Sequence, residues 1–168
     1  LKEHPFQEEA VVYLSELYLA TERGDAAVTL LKEAAERPDV GARVMLQLGA
    51  VYTRTKKSAE AARTYDDAVK RFPDNAEVYV RRAQHTGYKD LDASIADYRK
   101  ALEIDPDNRA SLNNLAALYI GRSQFKDARE LLLRYRKNNP MASSGAFNLA
   151  SVYLSLGQYK EAAAIYTE

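Results

Sequence analysis

Between Arg109 and Pro140 the apolar residues fall into two stripes separated by a short polar break. Leu112, Leu115 and Tyr119 lie at i, i+3 and i+7, one face of a helix. Gly121-Arg122-Ser123-Gln124 interrupts the stripe, and Phe125, Ala128, Leu131, Leu132 and Tyr135 resume it. Asn138-Asn139 and Pro140 then stop the second helix, because proline lacks the backbone donor and its ring clashes with the preceding turn. The spacing predicts a helix, a tight turn and an antiparallel helix. The same pattern recurs along the whole chain. Prolines 5, 38, 73, 106 and 140 stand 33, 35, 33 and 34 residues apart, and they are all the prolines in the sequence. A fixed period of about this length marks a stacked repeat architecture.

Aligned on that period, Glu8–Gly41 carries Val11, Leu14, Ser15, Tyr18, Ala27, Leu31 and Ala34, with Pro38 one place early. Ala42–Asn75 carries Met45, Leu48, Gly49, Tyr52, Ala61, Tyr65, Ala68 and Pro73. Ala76–Asn108 carries Tyr79, Ala83, Ile95, Tyr98, Ala101, Leu102 and Pro106; Ser143 onward carries Ala146, Leu149, Ala150, Tyr153, Gly157, Ala162 and Tyr166. This pattern resembles the tetratricopeptide repeat. The resemblance implies an all-α, right-handed superhelical solenoid of helix-turn-helix repeats. The expected organisation is the tail of a preceding repeat at 1–7, then repeats at 8–41, 42–75, 76–108, 109–142 and a truncated one at 143–168. The third repeat is one residue short, without the tyrosine expected near Thr86, and the deletion falls around His85–Lys89, where an irregular turn is expected. Tyr18, Tyr52, Tyr119 and Tyr153 share one motif position and Tyr65, Tyr98 and Tyr166 another, which makes these seven framework residues. The start at Leu1-Lys2-Glu3 and the stop at Glu168 read as a piece of a longer array.

Composition narrows the chemistry. Twenty-four Lys and Arg balance 24 Asp and Glu, so no overall basic field draws nucleic acid or an anionic membrane. There is no cysteine, which excludes disulfides, thiolate metal sites and a cysteine nucleophile. No apolar run reaches the roughly 18 residues of a membrane span. His4 and His85 are far apart and in no metal-ligand spacing, and no glycine-rich phosphate loop occurs. Asp105-Pro106-Asp107-Asn108 lacks the alternating ligands, central glycine and closing glutamate of a calcium loop, and reads instead as a helix stop followed by the next cap. No catalytic residue, metal site or cofactor is expected. The chain reads as a non-enzyme.

Within the resemblance, the first helix of each repeat lines the concave groove, with repeat positions 2, 5, 6, 9, 12 and 13 facing it. Position 6 reads Tyr13, Gln47, Arg81, Asn114 and Asn148; position 5 reads Val12, Leu46, Val80, Asn113 and Phe147; position 9 begins with Glu16. The candidate partner-binding residues are therefore Tyr13, Gln47, Arg81, Asn113, Asn114, Phe147 and Asn148. Asn114 and Asn148 resemble the asparagine ladder with which superhelical members of the family hold a partner's backbone. The family's clamp for acidic chaperone tails requires Lys or Asn where this chain has Val12, Glu16, Leu46 and Ala50, so that specificity is not expected. The expected function is a protein-interaction scaffold holding a peptide or protein partner. The alternatives are a substrate-recruiting arm of a larger enzyme and self-association through open repeat ends.

Overall fold

The computed structural model describes residues 5–140 and 143–167. Leu1–His4, expected as the tail of another repeat, lie outside the described residues, as does the side chain of Tyr166. Among the described residues ten α-helices follow one another: α1 (Pro5–Ala20), α2 (Gly24–Ala35), α3 (Ala42–Arg54), α4 (Ser58–Arg71), α5 (Ala76–Thr86), α6 (Leu91–Ile104), α7 (Arg109–Gly121), α8 (Phe125–Asn138), α9 (Ser143–Ser155) and α10 (Tyr159–Thr167). A short 3₁₀ turn, Gly87–Lys89, precedes α6, and no strand occurs among the described residues. The fold is the all-α repeat solenoid that the periodicity implies.

Two compact units divide the chain, Leu1–Thr86 and Gly87–Glu168. In the first, each helix packs on the next from α1 to α5, and the first helices of successive pairs also touch, α1 on α3 and α3 on α5. Its core gathers Val12, Ala27, Leu31, Val44, Leu48, Val51, Ala61 and Tyr65. In the second unit α6 to α10 pack in the same succession, with α7 against α9. Leu112, Leu115, Leu132 and Leu149 are fully buried there.

Four turns between paired helices are built alike. The backbone N–H of Arg23, Lys57, Gln124 and Gln158 donates to the carbonyl of Tyr18, Tyr52, Tyr119 and Tyr153 respectively, at 2.7, 2.8, 2.9 and 2.8 Å. The residue just before each donor is left-handed: Glu22, Lys56, Ser123 and Gly157 have φ of 59°, 60°, 58° and 72°. This six-to-one bond across a left-handed residue is the Schellman ending, which satisfies carbonyls that the helix leaves bare. The shared tyrosine thus contributes its carbonyl to the turn, while its ring packs: Tyr52 and Tyr119 are buried, Tyr18 and Tyr153 half-buried.

The third pair is built differently. Helix α5 stops at Thr86, the motif position where the other repeats have that tyrosine, and the 3₁₀ turn follows with Gly87 at φ 53°. Asp90 then caps α6, its side chain accepting from Ala93 N at 3.0 Å, whereas α2, α4 and α8 have no side-chain cap. Ala27, Ala61, Ala128 and Ala162 mark one buried position at the start of the second helices. Its counterpart in the short repeat is Ser94, fully buried, with Oγ donating to the Gly87 carbonyl at 2.8 Å. One side-chain bond thereby anchors the turn that lost a residue.

Pro38, Pro73, Pro106 and Pro140 stand in turns after α2, α4, α6 and α8. Asn75 N donates to Phe72 O, and Asn108 N to Asp105 O, so Pro73 and Pro106 occupy the second place of a β-turn, where their fixed φ fits. Asn108 next caps α7, accepting from Ser111 N at 3.0 Å. That bond shows Asp105–Asn108 to be a stop followed by a cap. Pro5 differs from the others, because α1 begins at it and the first turn of a helix needs no donor there.

Candidate interaction faces

In the first unit, the face carried by α1, α3 and α5 holds three of the candidate residues. Tyr13 is 73% exposed. Gln47 is half-buried; its Nε2 donates to Ser15 Oγ at 3.2 Å, and that hydroxyl donates to Val12 O at 2.6 Å. Arg81 is exposed and pairs through Nε with Glu77 Oε1 at 2.7 Å, four residues back on α5. Gln47 and Arg81 line one open cavity of about 410 Å³ together with Val12, Glu16, Arg43 and Glu77. Tyr13 lines a second of about 470 Å³, which shares Val12, Glu16 and Arg43 with the first. The structure therefore brings Tyr13, Gln47 and Arg81 onto one continuous recess.

The expectation for repeat position 5 needs correcting. Val12 and Val80 do not point freely into a groove: they are 7% and 1% exposed, and Val12 belongs to the core. Because α1 lies against α3, Val12 sits at their seam and only edges the recess. Leu46 is half-buried, while Phe147 on α9 is 66% exposed. The charged residues Glu9, Arg43 and Glu77 were not among the candidates, yet all three line the recess. They share repeat position 2, so the period held the signal that would have found them.

In the second unit the asparagines form a chain across α9, α7 and α6. Asn148 Nδ2 donates to Asn113 Oδ1 at 3.5 Å, Asn113 Nδ2 to Asn114 Oδ1 at 3.4 Å, and Asn114 Nδ2 to the Tyr98 hydroxyl at 3.2 Å. All three amides are half-buried. Burial pushes the Tyr98 phenol above its ordinary pKa, with the bond from Asn114 working the other way, so Tyr98 stays a neutral acceptor. Asn148 therefore pairs with Asn113, and not with Asn114, its equivalent in the repeat. Asn114 turns inward to the framework.

Other polar groups are held by the scaffold. Thr53 Oγ1 lies 3.3 Å from His85 Nδ1, and the His85 ring packs 5.3 Å from that of Tyr65. Arg99 Nε donates to the Tyr119 hydroxyl at 2.9 Å. Among the described residues no three His, Asp or Glu side chains gather as metal ligands, and no helix is long and apolar enough to cross a membrane.

Comparison with known proteins agrees with this geometry. Family models described as tetratricopeptide repeat match residues 42–85 and 113–168, and one described as TPR repeat matches 89–121. The first match along the chain stops at residue 85, just before the short turn, and the next begins at Lys89, the turn's last residue. Heat shock protein STI1 of Saccharomyces cerevisiae is 34% identical over 93 residues, 54% of this chain but only 16% of that protein. The chain thus matches about a sixth of that relative's length. Among solved structures, a tetratricopeptide repeat protein from Parabacteroides merdae superposes with a TM-score of 0.79 at 19% identity, over 95% of this chain and 64% of the other. The crystal structure of MamA gives 0.78 at 16% identity, over 91% and 90% of the two chains. MamA from Desulfovibrio magneticus gives 0.76 at 17% identity, over 95% and 91%. At these identities the likeness is one of fold.

Proposed function

This chain belongs to the tetratricopeptide repeat family, and we propose that it is a non-catalytic scaffold holding an extended segment of a protein partner along the faces of its first helices. The observation that carries this reading is the chain of amides from Asn148 through Asn113 to Asn114. A carboxamide both donates and accepts, so it recognises a peptide unit whatever side chain that unit bears. Each inter-asparagine bond is 3.4–3.5 Å long, at the weak end of hydrogen-bond geometry. Exchange for bonds to a partner's backbone therefore costs little. Asn114 stays fixed by Tyr98 and holds the inner end of the row in place.

Exposed Phe147 stands next to Asn148 in the sequence and offers an apolar contact for the side chains that flank the bound peptide units. In this reading the repeat boundaries at 8–41, 42–75, 76–108, 109–142 and 143–168 give each first helix one turn of contact with the partner.

The test is selection of binders from a displayed pool of random dodecapeptides, followed by titration of a selected peptide. Replacing Asn113 and Asn148 with Ala together should weaken binding by about 0.5–1.5 kcal/mol per lost bond. Amide shift changes should map to α7 and α9. Unchanged affinity in the double variant, or shifts confined to second helices, would discard the reading.

A further inference from the structure

The recess of the first unit carries a charge pattern that selects among peptides. Three carboxylates face it, Glu9, Glu16 and Glu77, against two guanidinium groups, Arg43 and Arg81. Both guanidinium groups are already engaged. Arg43 Nη1 pairs with Glu9 Oε1 at 3.1 Å, and Arg81 with Glu77 at 2.7 Å. Glu16 has no ion-pair partner among the described residues, and it is exposed at the junction shared by both cavities. Tyr13 lies three residues earlier on α1, one helical turn away on the same side, with its ring open to solvent. Val12, Leu46 and Ala50 supply the apolar floor.

We infer that this recess takes a basic side chain, Lys or Arg, of an extended peptide whose neighbouring residues are apolar. The inference deepens the peptide-scaffold reading and rests on it. A cation seated there meets the Glu16 carboxylate as a charge-assisted hydrogen bond and the face of Tyr13 as a cation–π contact. The stem of such a side chain covers Val12 and Leu46 while its head stays at the rim. An acidic side chain in the same place would confront Glu16 with no free cation to offset it, since Arg43 and Arg81 are held by Glu9 and Glu77. The recess is thus opposite in sign to a clamp for acidic tails.

Selecting random dodecapeptides separately on the natural chain, on Glu16→Gln and on Tyr13→Ala tests this. On the natural chain, recovered peptides should be enriched in a Lys or Arg flanked by apolar residues. A recovered peptide should bind about tenfold more tightly than its version with Gln at the basic position. That margin should shrink to about twofold on Glu16→Gln and fall partway on Tyr13→Ala. It should survive intact on Glu33→Gln, a carboxylate on α2 that lines neither cavity. Peptides recovered without charge preference, or with acidic residues, would overturn the inference and leave the scaffold reading standing. Recovery of no peptide by any of the chains would overturn the scaffold reading, and this inference with it. Each variant changes an exposed side chain, so circular dichroism matching the natural chain is expected and confirms that binding alone has moved.

Discussion

The two units use one helix-pair plan and present different chemistry on it. In the first, the exposed positions of α1, α3 and α5 are charged or aromatic, and most of their charges are matched locally, which leaves Tyr13 and Glu16 unclaimed. In the second, the corresponding positions of α7 and α9 are neutral amides bonded in a row, with Phe147 beside them. The framework beneath is nearly invariant: the same buried alanines, the same tyrosine carbonyls closing the turns. The difference teaches that the repeat decides where a side chain stands but leaves open what it does there. In the proposed reading the first unit offers a charge-selective recess and the second a row of amides indifferent to side-chain identity.

The largest expected effects come from a place in each unit where a glycine makes room for a buried tyrosine ring. In the first unit Gly49 faces the ring of Tyr65, and a Cβ there would fall 2.6 Å from two ring carbons. Ala83, Ala116 and Ala150 hold the equivalent position in the later repeats, and Ser15 holds it in the first. In the second unit Tyr135 stands where other repeats have Ala34, Ala68 and Ala101, and Gly145 of the next helix makes room for it. Both rings are buried and cannot swing away. Gly49→Ala and Gly145→Ala should each lower stability to urea by about 1–3 kcal/mol. In a Tyr135→Ala background the Gly145→Ala penalty should largely vanish, since the one ring it collides with is gone. Full tolerance of Gly145→Ala beside an intact Tyr135 would show that the ring position is not what the glycine serves.

Much of this architecture was legible in the sequence, and the part that was not has a common cause. The apolar period located the helix pairs, and the prolines at 38, 73, 106 and 140 marked the turns between them, because both signals depend on residues close in the chain. Tyr13 and Phe147 stand exposed as their positions imply. Side-chain pairing between adjacent repeats was not legible. It depends on how far one helix is rotated against its neighbour, and a period measured along the chain contains no term for that. Hence Val12 lies in a seam, Asn148 reaches Asn113, and Glu9 meets Arg43. The compensation at Ser94 was hidden for a different reason. A deletion shifts the local register, so the residue in the alanine slot is named correctly only once the turn is seen.

The short turn supplies a contrast of intermediate size. Asp90→Ala removes the only side-chain cap shown among α2, α4, α6 and α8 and should cost about 1 kcal/mol. Ser94→Ala restores the residue that the other repeats have at that position, yet it should also cost about 1 kcal/mol, because the Gly87 carbonyl loses its 2.8 Å bond. The reciprocal change, Ala128→Ser, should destabilise as well, since a hydroxyl placed there is buried beside a Schellman turn with no counterpart to Gly87. Urea unfolding of the three variants checks this. A gain in stability for Ser94→Ala would show that the alanine is preferred in every repeat and that the serine bond does not hold the shortened turn.

The smallest effect is a gain. Three of the four Schellman turns place a residue with a side chain in the left-handed region: Glu22, Lys56 and Ser123, all exposed, at φ of 59°, 60° and 58°. The fourth uses Gly157, for which that conformation carries no steric cost. Relief of the Cβ contact favours glycine by about 1–2 kcal/mol, while the greater freedom of glycine in the unfolded chain takes back about 0.4–1 kcal/mol. Lys56→Gly and Ser123→Gly should therefore each stabilise by about 0.5 kcal/mol, and Gly157→Ala should destabilise by a similar amount. Among the described residues neither the Lys56 nor the Ser123 side chain makes a hydrogen bond or ion pair that the change would remove. The two gains should add, because one turn lies in each unit. A loss on Lys56→Gly would mean that chain entropy outweighs backbone strain at these turns, and would reverse the sign expected for Ser123→Gly and Gly157→Ala as well.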